Sequence, residues 1–200
     1  MSKIILQNTL MEKDVVSSIK NNFYTLIDLI PEIKSMVGFE HNHPHHHLDV
    51  WNHTLLALSK APCDFQIRLV LLLHDIGKPH SYQDEEVRHF KNHPTISSNM
   101  SKDILKRLNF NSIEIEEICY LIKKHDSLIL NKDIQENISL VRKRFKIQFC
   151  DALAHNPLKL EKRIEYLLKM NDKINEENEK REYIIILNEF LKKQKNNKIK

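Results

Sequence analysis

Two glycines, Gly38 and Gly77, and six prolines are the only obligate turn-formers in 200 residues. Sandwiches and barrels need a turn signal about every 8–12 residues. A many-stranded β fold is therefore excluded, and an all-α architecture of long helices joined by short loops is expected. Cysteine is sparse as well. Cys63, Cys119 and Cys150 are odd in number, far apart and flanked by apolar residues, which argues against a disulfide frame or a zinc knuckle and reads as reduced core thiols of a cytoplasmic protein. No apolar run approaches the ~20 residues of a membrane span. The chain opens on Met1-Ser2-Lys3 and soon turns charged, unlike an export signal. The expectation is a soluble, unexported protein with no membrane partner. Charge of one sign is missing too. The net charge of +4 comes from interspersed signs, which permits an anionic substrate without calling for nucleic acid. The lysines at 192–200 have no interleaved aromatic residues on which bases would stack.

What is present is a hydrophobic fraction of 41%, enough for one sizeable core in one domain. Apolar residues at helical spacing predict one helix over residues 15–30, ended by Pro31, and another over 49–60. Asp64 is placed to cap a third. In that third helix Ile67, Val70, Leu71 and His74 share one face, and Gly77 is expected to supply a left-handed stop. Pro94 starts a helix through Leu108, and Asn111 with Glu114 forms a capping box for the next. A helix over 138–155 carries Asp151, and Leu160, Ile164, Leu167, Leu168 and Ile174 mark a further long one.

Chemistry concentrates at His74-Asp75, which follows the apolar run Leu69-Val70-Leu71-Leu72-Leu73. Burying an imidazole and a carboxylate without partners costs roughly 2–7 kcal/mol per polar group, so such a pair binds something. His53 precedes it, and His93, His125 and Asp151 follow, each in or beside a predicted helix. Imidazole and carboxylate together suit first-row transition metals, which neither all-oxygen cages nor thiolate sites favour. Five further histidines, His41, His43, His45, His46 and His47, crowd a loop that reads as a solvated approach to the site. Arg142, Lys143 and Arg144 read as a solvated helix face, Asp126 as a solvated helix end, and His155 as a hydrogen-bonding neighbour of Asp151 or a cap.

These pieces resemble the HD superfamily of metal-dependent phosphohydrolases, and more closely the HD region of bacterial tRNA nucleotidyltransferases. The matching segments are Asp49-Val-Trp-Asn-His53-Thr54-Leu55, Leu73-His74-Asp75-Ile76-Gly77-Lys78-Pro79, Phe90-Lys-Asn-His93, Ile122-Lys-Lys-His125-Asp126 and Asp151-Ala152-Leu153-Ala154-His155. Ser97 stands where that region usually has glycine, which leaves the local backbone approach open. No nucleotidyltransferase half precedes the segment in this sequence, so nucleotide addition to tRNA is not implied.

The resemblance implies an all-α helical bundle with a buried mono- or dinuclear site and hydrolysis of a nucleotide, a 2′,3′-cyclic phosphate or a similar small phosphoester. It places His53, His74, Asp75 and Asp151 around one metal and Asp75, His93 and His125 around a second, with Asp75 bridging. The ions would be Fe, Mn, Ni, Co or Zn, with Mg a further option, and Asp75 and Lys78 are the catalytic candidates. The implied layout is an N-terminal helical segment at 1–40, an HD core at 41–156 and a C-terminal helical extension with a basic tail at 157–200. Two rival readings use the same residues: a nucleotide-sensing module that has lost catalysis, and a diiron oxygenase.

Overall fold

The computed structural model describes residues 2–83 and 86–197. It is almost wholly helical: α1 (Ser2–Met11), α2 (Val15–Asn21), α3 (Phe23–Leu29), a 3-10 turn (Pro31–Met36), α4 (Val50–Leu58), α5 (Phe65–Leu73), α6 (His93–Arg107), α7 (Ser112–Lys124), α8 (Asn131–Glu136), α9 (Ile138–Ala152), α10 (Glu161–Ile174) and α11 (Glu177–Asn197). Short 3-10 turns cover Lys78–His80 and Pro157–Lys159. The loop between α5 and α6 also holds a small antiparallel hairpin that the sequence did not announce, β1 (Tyr82–Gln83) against β2 (His89–Phe90). Among the described residues no helix is long and apolar enough to cross a membrane. Residues 198–200 of the basic tail lie outside the described residues.

Two apolar clusters meet at α9. Its residues Ile147 and Cys150 face a large core built from α1 to α7. Its other side, with Val141, Phe145, Phe149 and Ala152, packs on Leu167, Met170 and Ile174 of α10 and Leu187 of α11. The N-terminal helices belong to the first core through Leu6, Leu10, Val15, Ile19 and Leu26. Lys3 reinforces this by binding Glu114 at 2.6 and 2.8 Å, on the residue that closes the capping box of α7 with Asn111. Asp49 and Asp64 cap α4 and α5 through the amides of Asn52 and Ile67.

Three local expectations are corrected. Of the three cysteines expected in the core, Cys150 is buried, Cys119 is half-buried and Cys63 is exposed. The helix predicted over 15–30 is split at Asn22, whose side-chain amide donates to the Ser18 carbonyl at 2.9 Å. An asparagine that satisfies a backbone carbonyl with its own side chain competes with continued helix. Gly77 is not left-handed: its φ is −84° and ψ −10°. Glycine is needed there for space, since a Cβ would lie 2.5 Å from the Ser97 backbone nitrogen and 2.8 Å from its hydroxyl oxygen. Ser97 completes the approach by accepting a hydrogen bond from the Gly77 amide at 2.9 Å.

Candidate metal centre

Helix ends converge on one point. His74 is the C-cap of α5, His125 the C-cap of α7, His93 the first residue of α6, and Asp151 lies in the last turn of α9. His53 comes from the middle of α4. Helix C-termini leave carbonyls without intrahelical partners, and the histidines use them. His74 Nδ1–H donates to Leu71 O at 2.7 Å and His125 Nδ1–H to Ile122 O at 2.7 Å. His93 donates to Phe90 O at 3.0 Å and His53 to Ala154 O at 3.2 Å. With each Nδ1 committed to a carbonyl, each Nε2 is turned inward. A backbone carbonyl holding one ring nitrogen so that the other can ligate is how metal-binding imidazoles are oriented.

The carboxylate of Asp75 sits between two imidazole pairs. Its Oδ2 is 3.3 Å from His74 Nε2 and 3.7 Å from His53 Nε2. Its Oδ1 is 3.4 Å from His93 Nε2 and 3.8 Å from His125 Nε2. One oxygen thus faces each pair. Two groups able to hold a metal ion result, His53 with His74 and Asp75, and Asp75 with His93 and His125, all buried. Asp151 adds an oxygen on the first side, 2.9 Å from His53 Nε2 and 3.5 Å from His74 Nε2. The donor set fits a divalent transition ion, and buried polar atoms are left over for one: His74 Nε2 and both Asp75 oxygens lack a hydrogen-bond partner. Lys78 Nζ lies 2.8 Å from Asp75 Oδ2, close enough to neutralise charge but outside hydrogen-bonding alignment.

The electrostatics carry the same strain. Burial alone would push the His74 imidazole down, but the carboxylates of Asp75 and Asp151 outweigh it and hold it at about 10. Burial would likewise raise Asp75, and the His74 and Lys78 cations hold it well below the usual carboxylate range. His125, buried and beside His74, is pushed down to about 3. A proton on His74 does what a metal cation would do better: it balances two buried carboxylates.

A family model of the HD domain matches residues 45–168. The chain belongs to the HD domain family. It is 30% identical over 128 residues to the A-adding tRNA nucleotidyltransferase of Deinococcus radiodurans, a stretch that covers 60% of this chain and 29% of that protein. It is 32% identical over 106 residues to the CC-adding tRNA nucleotidyltransferase of Thermus thermophilus, covering 48% of this chain and 24% of that one. The chain thus spans less than a third of the length of either curated relative.

The HD site opens into a cavity of about 800 Å³, whose lining includes Asp75, Lys78, His93, His125 and Asp151. Lys78 is buried and lines the cavity. His41, from the loop expected to be a solvated approach, is 1% exposed. Its Nδ1–H donates to Leu48 O at 2.7 Å, and its Nε2 accepts from the Lys78 ammonium at 3.1 Å. Burial and that ammonium push His41 down to about 2. The His46 ring stacks on it at 3.7 Å and reaches the His155 ring at 4.6 Å. His155 Nδ1–H donates to the Asp151 carbonyl at 2.9 Å. His155 is thus the hydrogen-bonding neighbour of Asp151 that was expected, while His41 and His46 were missed as site residues. Leu48 O and the Phe90 ring anchor His41, whereas His43 and His45 stay nearer solvent.

The basic run on α9 is not a solvated face. Arg144 is 1% exposed and gives its guanidinium to the carbonyls of Lys124, Ser127 and Leu128 and to Asp133. Arg142 holds the Ile174 carbonyl at 2.8 Å, and Lys143 binds Gln66 and Glu117. None of the three lines the cavity. Asp126 does, at its open side.

Proposed function

We propose that the chain is a metal-dependent phosphohydrolase that cleaves a nucleotide, a 2′,3′-cyclic phosphate or a similar small phosphoester. The observation that carries this reading is the placement of Asp75, one carboxylate oxygen toward each buried imidazole pair, at the floor of a cavity of about 800 Å³, within the ~300–1,000 Å³ range of small-molecule clefts. His53, His74, Asp75 and Asp151 would hold one divalent transition ion, and Asp75, His93 and His125 a second. Bound there, such ions lower the pKa of water and polarise phosphoryl oxygens, the two things hydrolysis at neutral pH requires.

The protein's own residues supply the rest. Lys78 brings a buried ammonium to the cavity floor, where low dielectric strengthens its pull on a phosphate oxygen as charge develops. His41, fixed in one tautomer by Leu48 O, holds that ammonium in place. The helix ends restrict the imidazoles to one orientation, so that little reorganisation accompanies reaction. Residues 1–40 act as packing support, 41–156 as the catalytic core, and 157–200 as an extension that helps wall the cavity. Nucleotide addition is not carried over from relatives of which the chain matches 29% and 24%.

The test is elemental analysis of purified protein followed by a phosphate-release screen over nucleotides and 2′,3′-cyclic nucleotides on metal-reconstituted samples. About one to two equivalents of a first-row metal per chain and release from at least one class are expected. Metal-loaded protein that releases no phosphate, or that consumes oxygen instead, would overturn the reading.

A further inference from the structure

The cavity has a second wall that the proposed chemistry leaves unused. The 3-10 turn Pro157–Lys159 and the first turn of α10 contribute Lys159, Lys162 and Arg163 to its lining. Both lysines are exposed and Arg163 is half-buried. The Arg163 guanidinium lies 5.6 Å from the Tyr166 ring centre. Tyr166 is itself fixed, its hydroxyl accepting from the Ile129 amide at 2.9 Å and donating to Gln148 at 3.2 Å. On this platform the Arg163 Nη2 atom is buried and has no hydrogen-bond partner. Arg144, by contrast, has three carbonyls and a carboxylate. Glu161 and Asp126 line the same cavity; Arg163 attracts the Asp126 carboxylate across it, against burial and Asp151, which raise that carboxyl, but no hydrogen bond to either carboxylate reaches the buried Nη2. Leu160 at the start of α10 offers no side-chain cap, and Glu161 is the acidic residue of its first turn.

We infer that this wall binds a second phosphate, so that the preferred substrate carries two phosphates on one small scaffold, as nucleoside bisphosphates do. One phosphate sits against Asp75 and Lys78, a placement that rests on the phosphohydrolase reading, and the other against Arg163, Lys159 and Lys162. A planar guanidinium with an unmet donor is the side chain best matched to a phosphate. Leu128, Leu158 and Tyr166, lining the same space, offer apolar surface to the sugar or base that joins the two.

The experiment compares adenosine 3′,5′-bisphosphate with adenosine 3′- and 5′-monophosphate by titration calorimetry on the metal-loaded full chain. The bisphosphate is expected to bind about tenfold or more tightly than either monophosphate, the difference one well-made charged contact gives. Arg163→Met, which keeps the stem over Tyr166 and removes the charge, should erase that preference, while Arg163→Lys keeps part of it. The pair Lys159→Ala with Lys162→Ala, at exposed positions, should weaken it by a smaller factor. Equal affinities in the unaltered protein, or a preference that survives Arg163→Met at an unchanged melting temperature, would overturn the inference. Release of phosphate from p-nitrophenyl phosphate by the same preparation reads the hydrolase proposal alone. Release without a bisphosphate preference removes only the second-phosphate wall. A preference without release from any phosphoester leaves that wall standing and removes the hydrolase.

Discussion

The two walls of the cavity are built on opposite terms. The inner wall is buried: His53, His74, Asp75, His125 and Asp151 are each at most 3% exposed, and every imidazole in it is fixed by a backbone carbonyl at a helix end or loop. The outer wall is two exposed lysines and an arginine resting on one tyrosine. Groups held rigid in low dielectric give strong, directional electrostatics at the expense of stability, because charge is kept away from water. Groups on a solvated helix start cost the fold little and can change without unfolding it. On the proposed function, the difference teaches where to look for reaction and where for selectivity: the chemistry is assigned to the inner wall and the substrate preference to the outer.

The largest break comes from Asp75→Ala. Its two oxygens serve both imidazole pairs, so its loss should abolish hydrolysis and remove both metal-binding groups together. His93→Ala or His125→Ala removes a ligand from one group only and should leave about one metal bound with activity much reduced. Metal stoichiometry and turnover on the three variants check this. Equal metal content and near-normal turnover in all three would remove the shared-carboxylate arrangement.

Next in size is Arg144→Met. The guanidinium is buried and ties the last residue of α7 to the segment after it, through Lys124 O at 3.0 Å, Ser127 O at 2.5 Å and Leu128 O at 2.8 Å. That segment carries His125. Removing one side of a buried charged network costs roughly 3–5 kcal/mol, so urea denaturation of the metal-free chain should show a loss of that order. The second metal group, which uses His125, should weaken more than the first. A loss under about 1 kcal/mol, within the range of an ordinary surface change, would mean that the segment is held by other contacts.

Lys78→Ala is expected to lower turnover about a hundredfold, or ~2.7 kcal/mol of transition-state stabilisation, with metal content preserved. The ammonium is 2.8 Å from Asp75 Oδ2 and 3.1 Å from His41 Nε2, so two roles compete: stabilising charge on the reacting phosphate, and neutralising Asp75 when no metal is bound. Single-turnover rates on metal-loaded protein separate them. An unchanged rate with a lower melting temperature in the metal-free state alone would assign Lys78 to the second role.

Much of the inner wall was legible because its constraints are local and repeated. His74 follows Ile67, Val70 and Leu71 on one helix face, and the caps Asp49, Asp64 and Asn111 lie where helix physics puts them. The break at Asn22 and the right-handed Gly77 were not legible. The first depends on one side-chain amide choosing a carbonyl, the second on a neighbour 20 residues away. Arg144 was misread for the same reason: its acceptors lie on α8, at the end of α7 and on the segment after it, brought to it by folding. The outer wall left no signal, because Lys159, Lys162 and Arg163 look like any solvated helix start until the cavity is present.

The smallest expected effect is at that outer wall, and it bears most directly on the contrast. Lys159→Ala combined with Lys162→Ala should leave the melting temperature of the metal-free chain unchanged, within the ~0.5 kcal/mol usual for surface substitutions. Both side chains are exposed and neither belongs to an apolar cluster. Arg163→Met should also be nearly neutral, since the lost guanidinium leaves no acceptor stranded and the thioether stem can keep contact with Tyr166. A slight gain in stability is even consistent with the argument, because removing cations from one face of a chain of net charge +4 relieves repulsion. If instead any of these changes costs as much as Arg144→Met, the outer wall is part of the scaffold. The division between a rigid reacting floor and an adaptable selecting rim would then have to be abandoned.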